Sequence, residues 1–257
     1  MSKKLVYDRT EGEEDIYAAW LANANERQVL EKILNKRFGE WCNPVGNNPF
    51  NIADIGCGRG SGALKMFRIL DQRGIEYNYT GVEPSQIQLD QFRAQIGKDR
   101  NKTLICSKLE DFNPRKHFDL TFAVHPLYYV ESMSEALSKM LALSDKTLIV
   151  HHGIRGINEV HQRFRKYVKK GPNIISTHED VARALEELGV RYSLEVYPTK
   201  TNISSCKDST SKKGRSLIKF FLEQPRLSEK VIREVSGYFA AMKSDYLTHD
   251  LGLIITK

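Results

Sequence analysis

The chain has no apolar run near the roughly 20 residues that a membrane-spanning helix needs. Its opening residues, Met1 to Asp8, lack the apolar core of a secretory leader. A soluble, cytoplasmic protein without membrane contact is expected. The four cysteines, Cys42, Cys57, Cys106 and Cys206, never fall in paired C-x-x-C spacing, so neither a zinc knuckle nor a disulfide framework is indicated. Reduced thiols and no metal are expected. An acidic excess is also missing: 39 Lys and Arg face 32 Asp and Glu, a net charge of +7. That balance admits an acidic partner such as nucleic acid. The excess gathers in Arg163 to Lys170 and Lys200 to Arg215, which also read as a solvated helix face and a mobile polar loop, so nucleic acid is the lesser expectation. What is present, 257 residues with 40% hydrophobic content, suffices for one α/β domain with a substantial core. A monomer is expected.

The stretch Asn51 to Gly62, NIADIGCGRGSG, reads as a short apolar strand entering a glycine-rich turn, after which Ala63, Leu64, Met66, Phe67 and Leu70 recur at helical spacing. Gly56, Gly58 and Gly60 remove side chains where the backbone turns sharply and approaches a ligand, and the helix start adds unpaired N–H groups. A dinucleotide fingerprint would place glycine at Ser61. The G-x-G-x-G pattern after Asp54 points instead to S-adenosylmethionine. A second strand, Glu76 to Val82, ends in Glu83 and Pro84, about 30 residues on, as a βαβ unit requires. A carboxylate there can accept from both ribose hydroxyls.

The remaining pattern alternates strands and helices. Ile16 to Phe38 reads as helical segments interrupted at Asn23 to Gln28, and Ser85 to Ile96 as a helix. Strands are expected at Thr103 to Cys106, Phe118 to Val124, Lys146 to Val150, Arg191 to Tyr197 and Gly252 to Thr256, with Pro198 ending the fourth of these. Glu110 and Asp111, between Leu109 and Phe112, read equally as an adenine contact or a helix cap. Helices are expected at Ser132 to Leu143, Asn158 to Val168, Val181 to Leu188 behind a Thr177 to Asp180 capping box, Leu217 to Leu222 and Ser228 to Met242. Thr199 to Gly214 reads as a mobile polar loop. Alternation on this scale gives a mainly parallel sheet with helices on both faces. Ligands sit at the carboxyl ends of such strands, which makes His125, Tyr128 and Tyr129, directly after Val124, candidates for the reacting end of the site. The Asn/Asp-Pro-Pro-aromatic sequence of many base and amide methylating enzymes is absent there. No carboxylates cluster near His151 and His152, so magnesium-assisted chemistry is not indicated.

Several stretches together resemble the class I methyltransferases and, more narrowly, the histamine N-methyltransferases. They are Trp20 and Leu21 with Glu26 and Gln28, the Ile55-Gly56 loop, Val82 to Ser85 with Gln88, Leu127 to Val130, Leu148 to Gly153, Gln162 to Val168 more loosely, and Leu251 to Ile255. The resemblance implies a Rossmann-like α/β fold with a mainly parallel seven-stranded sheet flanked by helices. Residues 1–45 would form a helical lid, 46–150 the cofactor-binding half, and 151–257 substrate-cap helices and closing strands of one domain. It implies S-adenosylmethionine contacts at Asp54, Gly56, Gly58, Gly60, Glu83, Pro84, Gln88, Ser107, Leu109 and Val124. It also implies a small amine or imidazole acceptor among Tyr7, Tyr17, Glu26, Gln28, His125, Tyr128, Tyr129, Ile157, His161, Phe221 and His249, with Glu26, His125 and Tyr128 closest to catalysis. The chain departs from the pattern where Ile157 and His161 replace tryptophans, His249 stands beside Asp250, and His125 replaces a glutamine.

Overall fold

The computed structural model describes residues 15–46, 48–168, 171 and 173–256. Strands β1 (Phe50–Ile55), β2 (Tyr77–Glu83), β3 (Lys102–Cys106), β4 (Phe118–Val124), β5 (Ser144–His152), β6 (Tyr192–Asn202) and β7 (Tyr246–Thr256) form one sheet in the order β3-β2-β1-β4-β5-β7-β6. The first five are parallel, and β7 enters antiparallel between β5 and β6. This is the expected mainly parallel seven-stranded sheet. Strand β1 has β2 on one side and β4 on the other, so the winding reverses there and a crevice opens beyond the carboxyl ends of β1 and β4. The sequence places the glycine loop and His125 at those two ends.

Three apolar clusters hold the helices. On one face α2 (Glu26–Lys36), α3 (Phe38–Trp41), α4 (Ala63–Gln72) and α5 (Gln86–Ile96) contribute Leu30, Leu34, Trp41, Met66, Phe67 and Phe92. On the other, α6 (Met133–Leu143) and α8 (His178–Glu187) contribute Leu137, Met140, Val181 and Leu185. The third cluster joins α1 (Ile16–Leu21) to α7 (Ile157–Arg163), α9 (Lys212–Phe221) and α10 (Glu229–Ala240). Within it Trp20 stacks on Phe220 at 5.2 Å between ring centroids. The first helix therefore packs on the late helices rather than on the sheet alone. None of the helices among the described residues is long and apolar enough to cross a membrane.

The capping box forms as expected: Thr177 Oγ1 accepts from the Asp180 N–H at 3.3 Å, and Asp180 accepts from the Thr177 N–H at 2.8 Å. Four expectations need correction. Strand β6 does not stop at Pro198 but runs through it to Asn202. It is an edge strand of the sheet, bonded beyond β7 only through a short bridge from Ala24 to Thr201, past Pro198, and a proline without an N–H is tolerated on an edge. The stretch 199–214 is not a polar loop; it comprises the end of β6, a 3₁₀ turn at Ser204–Lys207 with buried Cys206, and the start of α9. The helix expected to reach Val168 ends at Arg163. Finally, β5 continues past Val150 to His152, and β7 begins at Tyr246, which brings two further histidine positions into the sheet.

Candidate active site

The glycine loop follows β1 and closes on its neighbours through backbone approaches that side chains would forbid. Gly56 (φ +68°) lies over Pro126, where an added Cβ would come within 2.7 Å of the proline ring, and at Gly60 (φ +82°) a Cβ would enter the Phe92 ring at 2.2 Å. At Gly58 an added Cβ would meet nothing nearer than the Gln88 amide oxygen, at 3.9 Å. The space beside Gly58, walled by Gln88 and Glu83, is thus a cradle that a side chain would fill. Glu83 ends β2 with both carboxylate oxygens engaged, Oε2 accepting from the Gly58 N–H at 3.1 Å and Oε1 from the Ser85 N–H at 2.9 Å. A carboxylate can accept from several donors at once, and this anchoring orients the group at the end of β2. Below it the Tyr79 hydroxyl donates to Asp54 at 2.6 Å. Burial pushes the Asp54 carboxyl up to about 7, against the pull of that hydrogen bond. These residues fit the adenosine and methionine ends of S-adenosylmethionine. Val124 approaches the loop, its Cγ2 lying 3.2 Å from where a Gly62 Cβ would stand. Leu109 is buried and Ser107 half-buried, with its N–H donating to the Glu83 carbonyl at 3.2 Å.

The N-terminal helices cover this loop with polar contacts. Asp15 caps α1 by accepting from the Ala18 N–H and receives both terminal nitrogens of Arg59 at 2.9 and 3.0 Å. The Arg59 guanidinium lies over the Tyr17 ring, and its Nε donates to Gln88. Ser61 takes hydrogen bonds or contacts from Arg27 Nε at 3.1 Å and the Tyr17 hydroxyl at 3.2 Å.

Under that cover lies a carboxylate surrounded by imidazoles. Glu26, the first residue of α2, is fully buried. His125 Nε2 donates to its Oε1 at 2.9 Å, His152 Nε2 donates to its Oε2 at 2.6 Å, and Arg27 bonds to Oε1. The His125 and His152 rings stack at 4.0 Å, and His249 stacks on His152 at 5.3 Å. Burial alone would raise the Glu26 carboxyl; His125, Arg27 and His152 hold it well below the usual carboxylate range. Burial lowers His125 and pushes His152 and His249 down to about 4. The arrangement at neutral pH is therefore a carboxylate paired with one guanidinium and two neutral rings. His125 has left-handed backbone (φ +62°), an uncommon conformation for a residue with a side chain, which turns the chain from β4 into Pro126. Tyr128 flanks the cluster, stacked on His151 at 4.2 Å, and its hydroxyl accepts from the His152 N–H at 3.3 Å.

The structure brings together Glu26, His125, Tyr128 and His249, with Tyr17 and Tyr129 at the margin. Tyr129 donates to Glu223, the other residue outside glycine with positive φ among the described residues. Gln28 does not join them, being exposed on α2, because two residues along a helix turn a side chain to the opposite side. Phe221 and Ile157 lie in the third apolar cluster, and His161 Nδ1 contacts the Ile174 carbonyl at 3.2 Å. Tyr7 lies outside the described residues. Sequence reasoning passed over Arg27, Arg59, Asp15, Ser61 and the site role of His152. The one available signal was the pair His151-His152 at a strand's carboxyl end.

Residues 52–146 match the methyltransferase domain family. Sheet order, glycine loop, the Glu83 anchor and this match define the chain as a class I S-adenosylmethionine-dependent methyltransferase. The curated relatives it matches include two groups. Histamine N-methyltransferase A of Xenopus laevis is 24% identical over 230 residues, 80% of this chain and 78% of the relative, and the Mus musculus enzyme is 23% identical over 83% and 80%. The tRNA U34 carboxymethyltransferase of Haemophilus ducreyi is 27% identical over 66% of this chain and 54% of the relative. Among solved structures, a putative methyltransferase from Bacillus halodurans shares the fold with a TM-score of 0.59 at 11% identity, covering 90% of this chain and 98% of that one. The magnesium protoporphyrin IX methyltransferase of Synechocystis shares it at 0.56 and 11%, over 98% and 91%.

Proposed function

We propose that this enzyme methylates a nitrogen of a small amine or imidazole-bearing molecule. The observation that carries this reading is the buried Glu26 carboxylate, placed under the N-terminal helices and bonded to the ring at the end of β4. The coverage shared with histamine N-methyltransferases supports the same acceptor class. Bound S-adenosylmethionine supplies an electrophilic methyl group on sulfonium sulfur. The protein's part is to align a neutral nitrogen lone pair with that carbon and to receive the departing N–H proton. Glu26 fixes the proton of His125 on Nε2, which leaves Nδ1 with the free lone pair, and Nδ1 has no hydrogen-bond partner among the described residues. His125 is the proton acceptor in this reading, and Glu26 acts through it. Because Arg27 already neutralises Glu26, the acceptor meets imidazole nitrogens rather than a bare carboxylate. Tyr128 walls the site.

The test is release of S-adenosylhomocysteine on mixing protein and S-adenosylmethionine with histamine, other imidazoles and small primary amines, with tRNA run in parallel. Turnover of at least one imidazole or amine is expected. His125→Ala should lower kcat at least about 100-fold, the range of a positioned general base, while binding of S-adenosylhomocysteine stays within about twofold. Turnover of tRNA alone overturns the reading.

A further inference from the structure

Glu26, His152 and His249 each offer a ligand atom, and the three atoms lie within 4.8 Å of one another with all three residues buried. His249 is fully buried, yet neither ring nitrogen has a hydrogen-bond partner among the described residues. A neutral imidazole carries one N–H and one lone pair, and leaving both unmatched in the interior is costly. The backbone is shaped around this ring. Gly156 (φ +83°) crosses so near that an added Cβ would stand 2.4 Å from the His249 Cβ and 2.8 Å from the Thr248 carbonyl. His249 precedes by two residues Leu251, which faces His152 across the β5–β7 pair, so both histidines project from one face of the sheet. Packing alone accounts for a ring in this place, but an aliphatic side chain would pack there without the polar penalty.

We propose that Glu26, His152 and His249 bind a divalent first-row transition ion. Two imidazoles and one carboxylate suit a borderline ion such as zinc or iron(II), whereas magnesium and calcium prefer oxygen donors throughout. The ion binds between His152 Nε2 and Glu26 Oε2, now 2.6 Å apart, and the His152 proton moves to Nδ1, which has no partner among the described residues. Ligand atoms about 2.1 Å from a tetrahedral ion stand roughly 3.4 Å apart, so the widest separation, at most 4.8 Å, closes by about 1.4 Å or less, while the His152–Glu26 pair at 2.6 Å opens by about 0.8 Å. Glu26 Oε1 keeps His125 and Arg27, the outer contacts that hold a ligating carboxylate in place. Three protein ligands leave a coordination position open, which can take a nitrogen or oxygen atom of the methyl acceptor. The inference does not depend on which acceptor that is.

Cobalt(II) is the probe, because its visible absorption reports coordination directly. Chelator-treated protein is titrated with Co2+, and a d–d band saturating at one ion per chain is expected. Zn2+ and Fe2+ should displace it, and Mg2+ or Ca2+ should not. His249→Ala and Glu26→Gln should each weaken Co2+ binding about 100-fold. His117→Ala, which alters the exposed histidine, should leave it unchanged. Binding of S-adenosylhomocysteine, measured on the same samples, reports that each variant is folded. Absence of a stoichiometric band in the unaltered protein overturns the proposal, whether or not the His249 variant folds. So does a band that survives both substitutions, or one that Mg2+ removes. These readouts involve no turnover, so failure of the ion site and failure of the acceptor assignment are told apart.

Discussion

Glu83 is where a single side chain joins two elements beside the proposed cofactor site. Its carboxylate receives backbone N–H groups from the glycine loop and from the start of the segment leading into α5, and charge-assisted bonds of this kind contribute roughly 1.5–3 kcal/mol each. Glu83→Ala removes the carboxylate proposed to meet the ribose and also frees the Gly58 N–H. Calorimetric binding of S-adenosylhomocysteine should therefore weaken by at least about tenfold, the equivalent of about 1.4 kcal/mol; affinity within twofold of the unaltered protein would remove Glu83 from the cofactor site. Asp54 gives a prediction in pH. Its carboxyl, ordinarily near 3.8, is pushed up to about 7 by burial first and by the Glu83 charge, against the Tyr79 hydrogen bond. Between about pH 4 and 7 the folded chain keeps a proton that the unfolded chain has lost. Stability against urea should fall as pH rises through that window, since the native state binds more protons there. Asp54→Asn keeps an acceptor for Tyr79 and cannot titrate, so its stability should lack that part of the slope. An identical slope in both proteins would show that Asp54 does not titrate there. Glu83 was legible because an alternating strand ending in an acid states its own position. The bond between His152 and Glu26 joins residues 126 apart in sequence, and no local pattern announces such a pair.

At the scale of elements, α1 meets the glycine loop through polar groups, whereas α2 also shares an apolar cluster with α4. Asp15 serves twice, as the cap of α1 and as the partner of Arg59, whose guanidinium also covers Tyr17. We expect α1 and α2 to act as a lid over the cofactor. Asp15→Asn keeps a good capping residue and loses the ion pair, which isolates closure from helix stability. It should speed S-adenosylhomocysteine dissociation several-fold and increase proteolytic cleavage within residues 15–46, with little change in melting temperature. Unchanged dissociation together with unchanged cleavage would mean that the pair does not govern closure. The strands and helices of residues 50–150 were readable because each carries its own signal: buried apolar runs in β1 and β4, and serine caps before α5 and α6. The region after Pro198 misled for an equally physical reason. Its polar, lysine-rich composition describes the exposed side of an edge strand and a helix start, while Thr201, Ile203 and Cys206, spaced through it, are buried. Edge position, which decides whether a proline ends a strand, is set by the whole sheet.

For the molecule as a whole, the net charge of +7 leaves open a nucleic-acid acceptor, which the tRNA-modifying relatives also raise. Part of that charge is already engaged. In the two basic stretches Lys166 pairs with Glu234, Lys207 with Asp245 and Arg215 with Glu229. Outside them Arg155 pairs with Asp250. A side chain already set against a carboxylate must give up that partner to meet a phosphate, and it releases correspondingly less of the counterion atmosphere that drives such binding. An enzyme docking on tRNA through 6–10 phosphates would lose roughly 10³–10⁵ in affinity between 50 and 200 mM salt. This chain should bind tRNA weakly, with a slope of log affinity against log salt corresponding to no more than about two phosphates. On the proposed reading, methyl transfer to a small amine should change less than about twofold over the same range, because the Glu26 cluster is buried and salt screens it little. A steep slope for tRNA, with methyl incorporation into it, would move the acceptor from a small amine to a nucleic acid. The Glu26 cluster would then be read as the wall of a pocket for a single base.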